Sequence, residues 1–248
     1  ANLEVGGLHL NLHEDEAGAW ALDGLPVTDD QPLDPEQLLQ RMQVVSKITV
    51  LDSQVTLEPF QREPMTLTYV SLGLQVGSVR QRLDVRLTLP DGQPVAMNVR
   101  SRIRAAHWRD GEIDAYLSLP QSDWARWLPP RLLGQWQAKE LNAGGEFWLN
   151  WNSGELQSAV ARLNAPQLRA AYAGRKEAKV ESLALNAWFN RHKQGFDVQL
   201  DSLAMSLGET RWESRLQLNQ SAATETNEET WKIQADRLDL TPLTPLIK

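Results

Sequence analysis

The chain has 248 residues, 42% of them hydrophobic and 23% charged, with 10 Trp, no Cys and a formal charge of -7. That length allows a sizeable core in one large or two small domains, and the hydrophobic content excludes a disordered chain. Without cysteine there is no disulfide scaffold, thiol nucleophile or Cys-containing zinc site, and the acidic balance makes nucleic acid an unexpected partner.

No run approaches the ~18 consecutive apolar residues of a membrane span. The opening Ala-Asn-Leu-Glu-Val carries no leader pattern, and Leu3, Val5, Leu8, Leu10 and Leu12 already alternate as strand residues. With an equally abrupt end, the chain is expected to be a piece of a longer protein. His13-Glu14-Asp15-Glu16 reads as a solvated hairpin tip, because it lacks the glycine and ligand spacing of a calcium loop. No metal is expected. Asp34-Pro35-Glu36-Gln37 forms a capping box, predicting a short helix over about 34–45.

Period-2 alternation dominates from 66 to 119. Val70, Leu72, Leu74 and Val76 are followed by a two-residue turn at Gly77-Ser78, then Leu83, Val85, Leu87 and Leu89. Pro90-Asp91-Gly92-Gln93-Pro94 turns the chain into Val95, Met97, Val99 and Ile103, and a turn at His107–Asp110 leads to Ile113, Ala115, Leu117 and Leu119. Centring the second turn on Gly92 sets Leu87 against Met97, Asp84 against Arg100 and Arg82 against Arg102. Centring the third on Trp108 sets Ile103 against Ile113, Val99 against Leu117, Arg104 against Glu112 and Arg102 against Asp114. Apolar then meets apolar on one face, and charge meets charge on the other.

A second short helix is expected over 122–128, docked by Trp124 and Trp127 and ended by Pro129-Pro130. The remaining segments to Leu240 read as strands, with a polar hairpin tip at 219–230. Gly6-Gly7, Asp52-Ser53 and Asp201-Ser202 each shift the parity of the apolar residues, predicting β-bulges. About a dozen one-sided strands with two short helices leave most of an apolar face without cover from this chain. Either the sheet closes as a sandwich or barrel, or something else covers it.

Residue chemistry points away from catalysis. The four His (9, 13, 107, 192) are scattered, and no nucleophile elbow, zinc-binding His pair, phosphate-binding loop or dinucleotide fingerprint occurs. The chain is therefore expected not to be an enzyme and to carry no cofactor. Arg80, Arg82, Arg86, Arg100, Arg102 and Arg104 form a polar-face ladder that reads as a cross-strand ion-pair lattice, with phosphate binding as its alternative. Trp148, Trp151, Trp188, Trp212 and Trp231 fall on strands, as packing residues or as sugar platforms.

Repeated units carry a resemblance. Leu3-x-Val5, Leu8-x-Leu10-x-Leu12 and Gly18-x-Trp20-x-Leu22-x-Gly24-Leu25-Pro26 resemble the repeat of the AsmA-like superfamily, nearest its long YhdP-type members. Ile48-x-Val50-x-Asp52-Ser53-x-Val55-x-Leu57 repeats the frame. Gly111-Glu112-Ile113-Asp114-Ala115 and Trp151-x-x-Gly154-Glu155-Leu156 are similar to the family's strand starts, and Asp236–Leu243 to a closing segment. The resemblance covers essentially the whole chain, without the family's N-terminal membrane helix.

It implies a mainly β fold: residues 1–248 as one elongated segment of a long antiparallel, strongly curved meander sheet with an open apolar groove. It further implies a periplasmic bridge-like lipid transport protein of Gram-negative bacteria, anchored in the inner membrane through a part not present here. Its partners would be phospholipid acyl chains and neighbouring repeats of the parent protein. The chains would lie against Val70, Leu72, Leu74, Val76, Leu83, Val85, Leu87, Met97, Val99, Ile103, Ile113 and Leu117. Two other readings stay open: a closed β-sandwich module binding carbohydrate or protein, and a hydrolase with a triad assembled from distant segments.

Overall fold

The structure, a computed structural model, describes residues 2–23, 45–104, 110–126, 136–172, 178–207, 209–222 and 229–236. These residues are almost entirely β, and the chain packs as two compact units. One comprises Ala1–Leu117 with Trp151–Glu155, the other Ser118–Asn150 with Leu156–Lys248.

The first unit holds β1 (Asn2–Gly6), β2 (His9–Glu14), β3 (Trp20–Leu22), β4 (Lys47–Glu58), β5 (Met65–Val76), β6 (Arg80–Thr88) and β7 (Pro94–Arg102). It also holds β8 (Glu112–Asp123) up to Leu117. The order is β3-β2-β4-β5-β6-β7-β8, with β1 also on β4. From β4 to β7 the strands form the expected antiparallel meander. The N-terminal strands depart from it, because β1 and β2 both pair with β4 in parallel. A parallel pair needs a crossover rather than a tight turn, and residues 23–46 supply its length.

Two hairpins close in the same way. Asp15 N–H donates to Ala19 O at 2.9 Å around Gly18 (φ 82°), and Leu89 N–H to Gln93 O at 2.9 Å around Gly92 (φ 84°). Both are three-residue loops whose last residue adopts left-handed φ. The second sets Val85 against Met97, Leu87 against Val95 and Arg82 against Arg100. This corrects the expected register by two residues, because Gly92 ends the loop instead of centring it. The β5–β6 turn also moves by one residue. Gly77 N–H donates to Arg80 O at 2.8 Å, leaving Ser78-Val79 as the two-residue loop.

Of the expected bulges, Asp52-Ser53 is one in register terms, whereas Gly6-Gly7 is corrected to a break between strands: β1 and β2 keep the same offset on β4, with Gly6 opposite Leu51 and His9 opposite Gln54. Between Val50 and Ser53, β4 has Leu51-Asp52 against Ser71 of β5, with Asp52 at φ 44°. One step along, β5 has Thr68-Tyr69 against Gln54, with Tyr69 at φ 49°. On the other side of β4, Gly7 (φ 67°) separates β1 from β2 and donates its N–H to Leu51 O at 3.0 Å. Leu8 N–H donates to Ser53 Oγ at 3.1 Å, and Ser53 Oγ donates to Leu51 O at 3.0 Å. Ser53, 2% exposed, pins this line of irregularities.

The second unit holds β9 (Trp136–Asn152), β10 (Glu155–Tyr172), β11 (Ala178–Val180), β12 (Ser182–His192), β13 (Gly195–Leu207), β14 (Thr210–Ser221) and β15 (Thr230–Ala235), apart from the short ends assigned above. Its order is β9-β10-β12-β13-β14-β15, with β11 on β10. The bulge expected at Asp201-Ser202 is there, set against Arg215 of β14 between Leu200 and Leu203. β14 and β15 pair from Ser221–Thr230 to Leu216–Ala235, so residues 219–221 are strand and the connecting tip is 222–229. Among the described residues no strand pairs with the outer edges of β3 and β15, so the sheet they form is open.

No α-helix occurs among the described residues. The helix expected at 122–128 is corrected. Ser122 and Asp123 still belong to β8, and Trp124–Arg126 makes one 3-10 turn. Asp123 Oδ1 accepts from Leu141 N–H at 3.1 Å, and Trp124 Nε1–H donates to Ala143 O at 2.7 Å. These bonds tie the turn to β9, so Trp124 docks it as expected. The helix expected over about 34–45 (as far as residue 44), Trp127, residues 107–109 of the expected His107–Asp110 turn and the segment from 237 lie outside the described residues.

Candidate functional site: the apolar sheet faces

In the first unit, hydrogen-bonded registers line up the apolar residues in rows across five strands. One row is Leu3–Ile48–Leu74–Leu83–Val99, the next Val5–Val50–Leu72–Val85–Met97. Beyond the bulges, Leu22–Leu12–Leu57–Met65 and Leu10–Val55–Leu67 continue the pattern across β3, β2, β4 and β5. Each bulge adds one residue and so restores the apolar parity on the same side. Val70 lies in this zone opposite Ser53, and Val76 opposite Gln81. Leu87 pairs with Val95. Ile103 follows the end of β7, its N–H bonded to Val79 O at 2.9 Å. Ile113 and Leu117 share a parity on β8.

Eleven of these twelve candidate residues are half-buried, and Val76, at 4% exposure, is fully buried. A sheet face packed under a second layer would be dry. Here the rows remain partly accessible, and the fully buried apolar side chains among the described residues are few: Val76, Leu89, Ala143, Ala165, Val180 and Trp212.

The second unit repeats this arrangement. Ala165–Leu183–Met205–Trp212, Leu163–Leu185–Leu203–Ser214, Ala161–Ala187–Leu200–Leu216 and Ala159–Phe189–Val198–Leu218–Ile233 form its rows. At one end Phe196 lies 5.5 Å from Phe189 and 5.8 Å, edge-on, from Trp231 (centroid distances). These rows were missed as candidates. Their strands were evident, but Ala-rich β10 and the bulge in β13 hide the shared face until the register is known. A hollow of about 450 Å³ lies at Gly144-Gly145, lined by Leu119, Leu163 and Leu185 among others.

The opposite face is polar. Asp84 accepts from Arg82 Nε–H at 2.6 Å and from Asn98, and the Arg82 bond is the main reason its carboxyl lies below the usual range. In the second unit Asn219 Nδ2–H donates to Asp197 at 2.6 Å, and Arg162 sits 5.2 Å over the Trp148 ring. The expected ion-pair lattice is only partly formed. Arg82 stands opposite Arg100 and Arg80 opposite Arg102. Arg102, not Arg104, takes Glu112, at 3.1 Å.

In the acidic group at 13–16, His13 and Glu14 end β2, and Asp15 and Glu16 lie at the hairpin tip. His13 meets Asp23 at 3.0 Å, Glu14 accepts from Phe60 N–H at 3.3 Å, and Asp15 caps Ala19 N–H at 2.8 Å. No helix among the described residues is long and apolar enough to cross a membrane.

A family model described as YhdP protein matches residues 1–248. The chain belongs to the YhdP protein family. It is thereby AsmA-like and, at family level, related to lipid transport. No curated protein and no solved structure matches the chain. The open, mainly β, mostly antiparallel sheet agrees with a YhdP-type reading.

Proposed function

We propose that this YhdP-family chain is a segment of a periplasmic, inner-membrane-anchored bridge-like lipid transport protein, and that its apolar sheet faces carry phospholipid acyl chains between inner and outer membrane. The observation that supports this reading is the set of cross-strand apolar rows, aligned by register and kept on one side by bulges, yet only half-buried. Acyl chains would complete that burial at ~0.8 kcal/mol per CH₂ removed from water. The mechanism is partition and sliding, with headgroups left in water. It requires no bond making, no cofactor and no metal, and the chain acts as a conduit instead of an enzyme. Neighbouring repeats of the parent protein would extend the track.

The test is extraction of the purified chain with organic solvent after incubation with phospholipid vesicles, followed by mass spectrometry. Phospholipid should co-purify. Leu72→Glu or Val85→Glu, central in one row, should cut loading several-fold while circular dichroism stays β. Ser71→Glu, one residue away but facing Arg86 across the strands, should load normally. Equal loading of all variants, or none of the wild type, rejects the reading.

A further inference from the structure

We propose that the polar face of the first unit carries a phosphate-binding site built by Arg80, Arg82, Arg100 and Arg102, separate from the apolar face. The juxtaposition is unusual for a sheet surface. Directly opposed residues in a strand pair have Cβ atoms about 4.5–5.5 Å apart, where like charges destabilise the pairing. β6 and β7 contain two such like pairs in succession, Arg82 opposite Arg100 and Arg80 opposite Arg102. The chain as a whole carries a charge of -7, so this is a local concentration of cations against the general balance.

Carboxylates neutralise it only in part. Asp84 is held by Arg82 through two bonds within β6, at 2.6 and 3.2 Å, and Glu112 is held by Arg102. Arg80 and Arg100 have no carboxylate within ion-pair distance among the described residues; Arg100 senses Asp84, which Arg82 already occupies. All four guanidinium groups are exposed. They border a hollow of about 350 Å³ whose charged lining is completed by Glu112 and Asp114, which with Asp84 on Arg82 sets three carboxylates against four guanidiniums. That volume admits a tetrahedral oxyanion with room for its substituent. Guanidinium forks match phosphate oxygens bidentately, and an anion bridging the two like pairs turns their repulsion into attraction.

Side chains alternate along β6, so Arg80 and Arg82 face away from the side that carries Leu83 and Val85. A phosphate here is therefore not the headgroup of a lipid whose tails lie on the apolar rows directly beneath. It comes either from free phosphate in solution or from the headgroup of a lipid in a membrane that the polar face touches.

Two titrations of the intact chain at low ionic strength distinguish these sources. One uses inorganic phosphate followed by ³¹P NMR, the other phosphatidylglycerol vesicles followed by co-sedimentation. The double variant Arg80→Gln/Arg100→Gln should bind at least tenfold more weakly in whichever titration the wild type responds to. Its fold should be kept, since the change relieves like-charge contact, and equal thermal midpoints verify that. Val85→Glu should bind phosphate like the wild type, so failure of the acyl-chain reading leaves this one standing. Response to phosphate alone identifies a free anion, and response to vesicles identifies a headgroup. No wild-type response in either titration, or equal binding by the double variant, overturns the site.

Discussion

Gly145 occupies a place that no other residue fills without moving a strand. A Cβ there would lie 2.4 Å from Arg162 O, and at Gly144 2.7 Å from Gln121 N, so the pair lets the backbones of β8 and β10 close in on β9. Gly145→Ala should therefore destabilise the second unit by about 3 kcal/mol, toward the upper end of overpacking costs, read as a lower urea midpoint. The glycines were visible in the sequence, but their role was not, because close approach depends on neighbours distant along the chain. Asp84 supplies a second residue-scale expectation. Its carboxyl is depressed in the folded state, chiefly by the Arg82 bond, so the stabilisation is present above the unfolded carboxylate range and is lost as pH falls through the folded value. Urea midpoints of the wild type should drop on acidification below about pH 4 more than those of Asp84→Asn, with the difference shrinking in high salt because the pair is half exposed.

Among the elements, the bulged strands decide how long the apolar side remains one side. Without the extra residues at Asp52 and Tyr69, the two halves of β4 and of β5 would present their leucines and valines to opposite faces. Tyr69 adopts φ 49° while 73% exposed, so its ring contributes little packing and its backbone is strained. Tyr69→Gly should stabilise the first unit by up to about 1 kcal/mol in chemical denaturation, whereas deleting residue 69 should destabilise it severely. The bulges were legible at Asp52-Ser53 because a parity slip leaves a one-residue mark in the pattern. Register was less legible. Gly92 marks the β6–β7 loop but not which loop position it takes, and a shift by two preserves every apolar match while exchanging the charged neighbours. That degeneracy made Arg100 seem matched to Asp84 when it stands opposite Arg82. The parallel pairing of β1 and β2 left no trace in the alternation, since parallel and antiparallel partners impose the same period.

For the whole molecule, the strands and their amphipathic faces were readable, and the division into two compact units was not. Period-2 patterning reports which side of a strand is apolar and says nothing about where packing clusters. If both units hold acyl chains, a charge placed in the second, such as Leu200→Glu or Leu218→Glu, should lower phospholipid loading as Val85→Glu does in the first. Combining one substitution from each should lower it further, as measured by lipid-to-protein ratio after extraction. Unchanged loading in the second-unit variants would confine binding to the first.

The parallel placement of β1 and β2 on β4 also sets a timetable for assembly. Leu8 bonds Ser53 across 45 positions, while the β5–β6 and β6–β7 hairpins close over two or three residues. Closing the longer loop costs more chain entropy and depends on a strand made later. During synthesis β1 must therefore wait until β4 has emerged, whereas β2 can meanwhile pair with β3 across its three-residue loop. Within this segment β1 is thus made well before the one strand it pairs with among the described residues, and a chaperone would guard it longest.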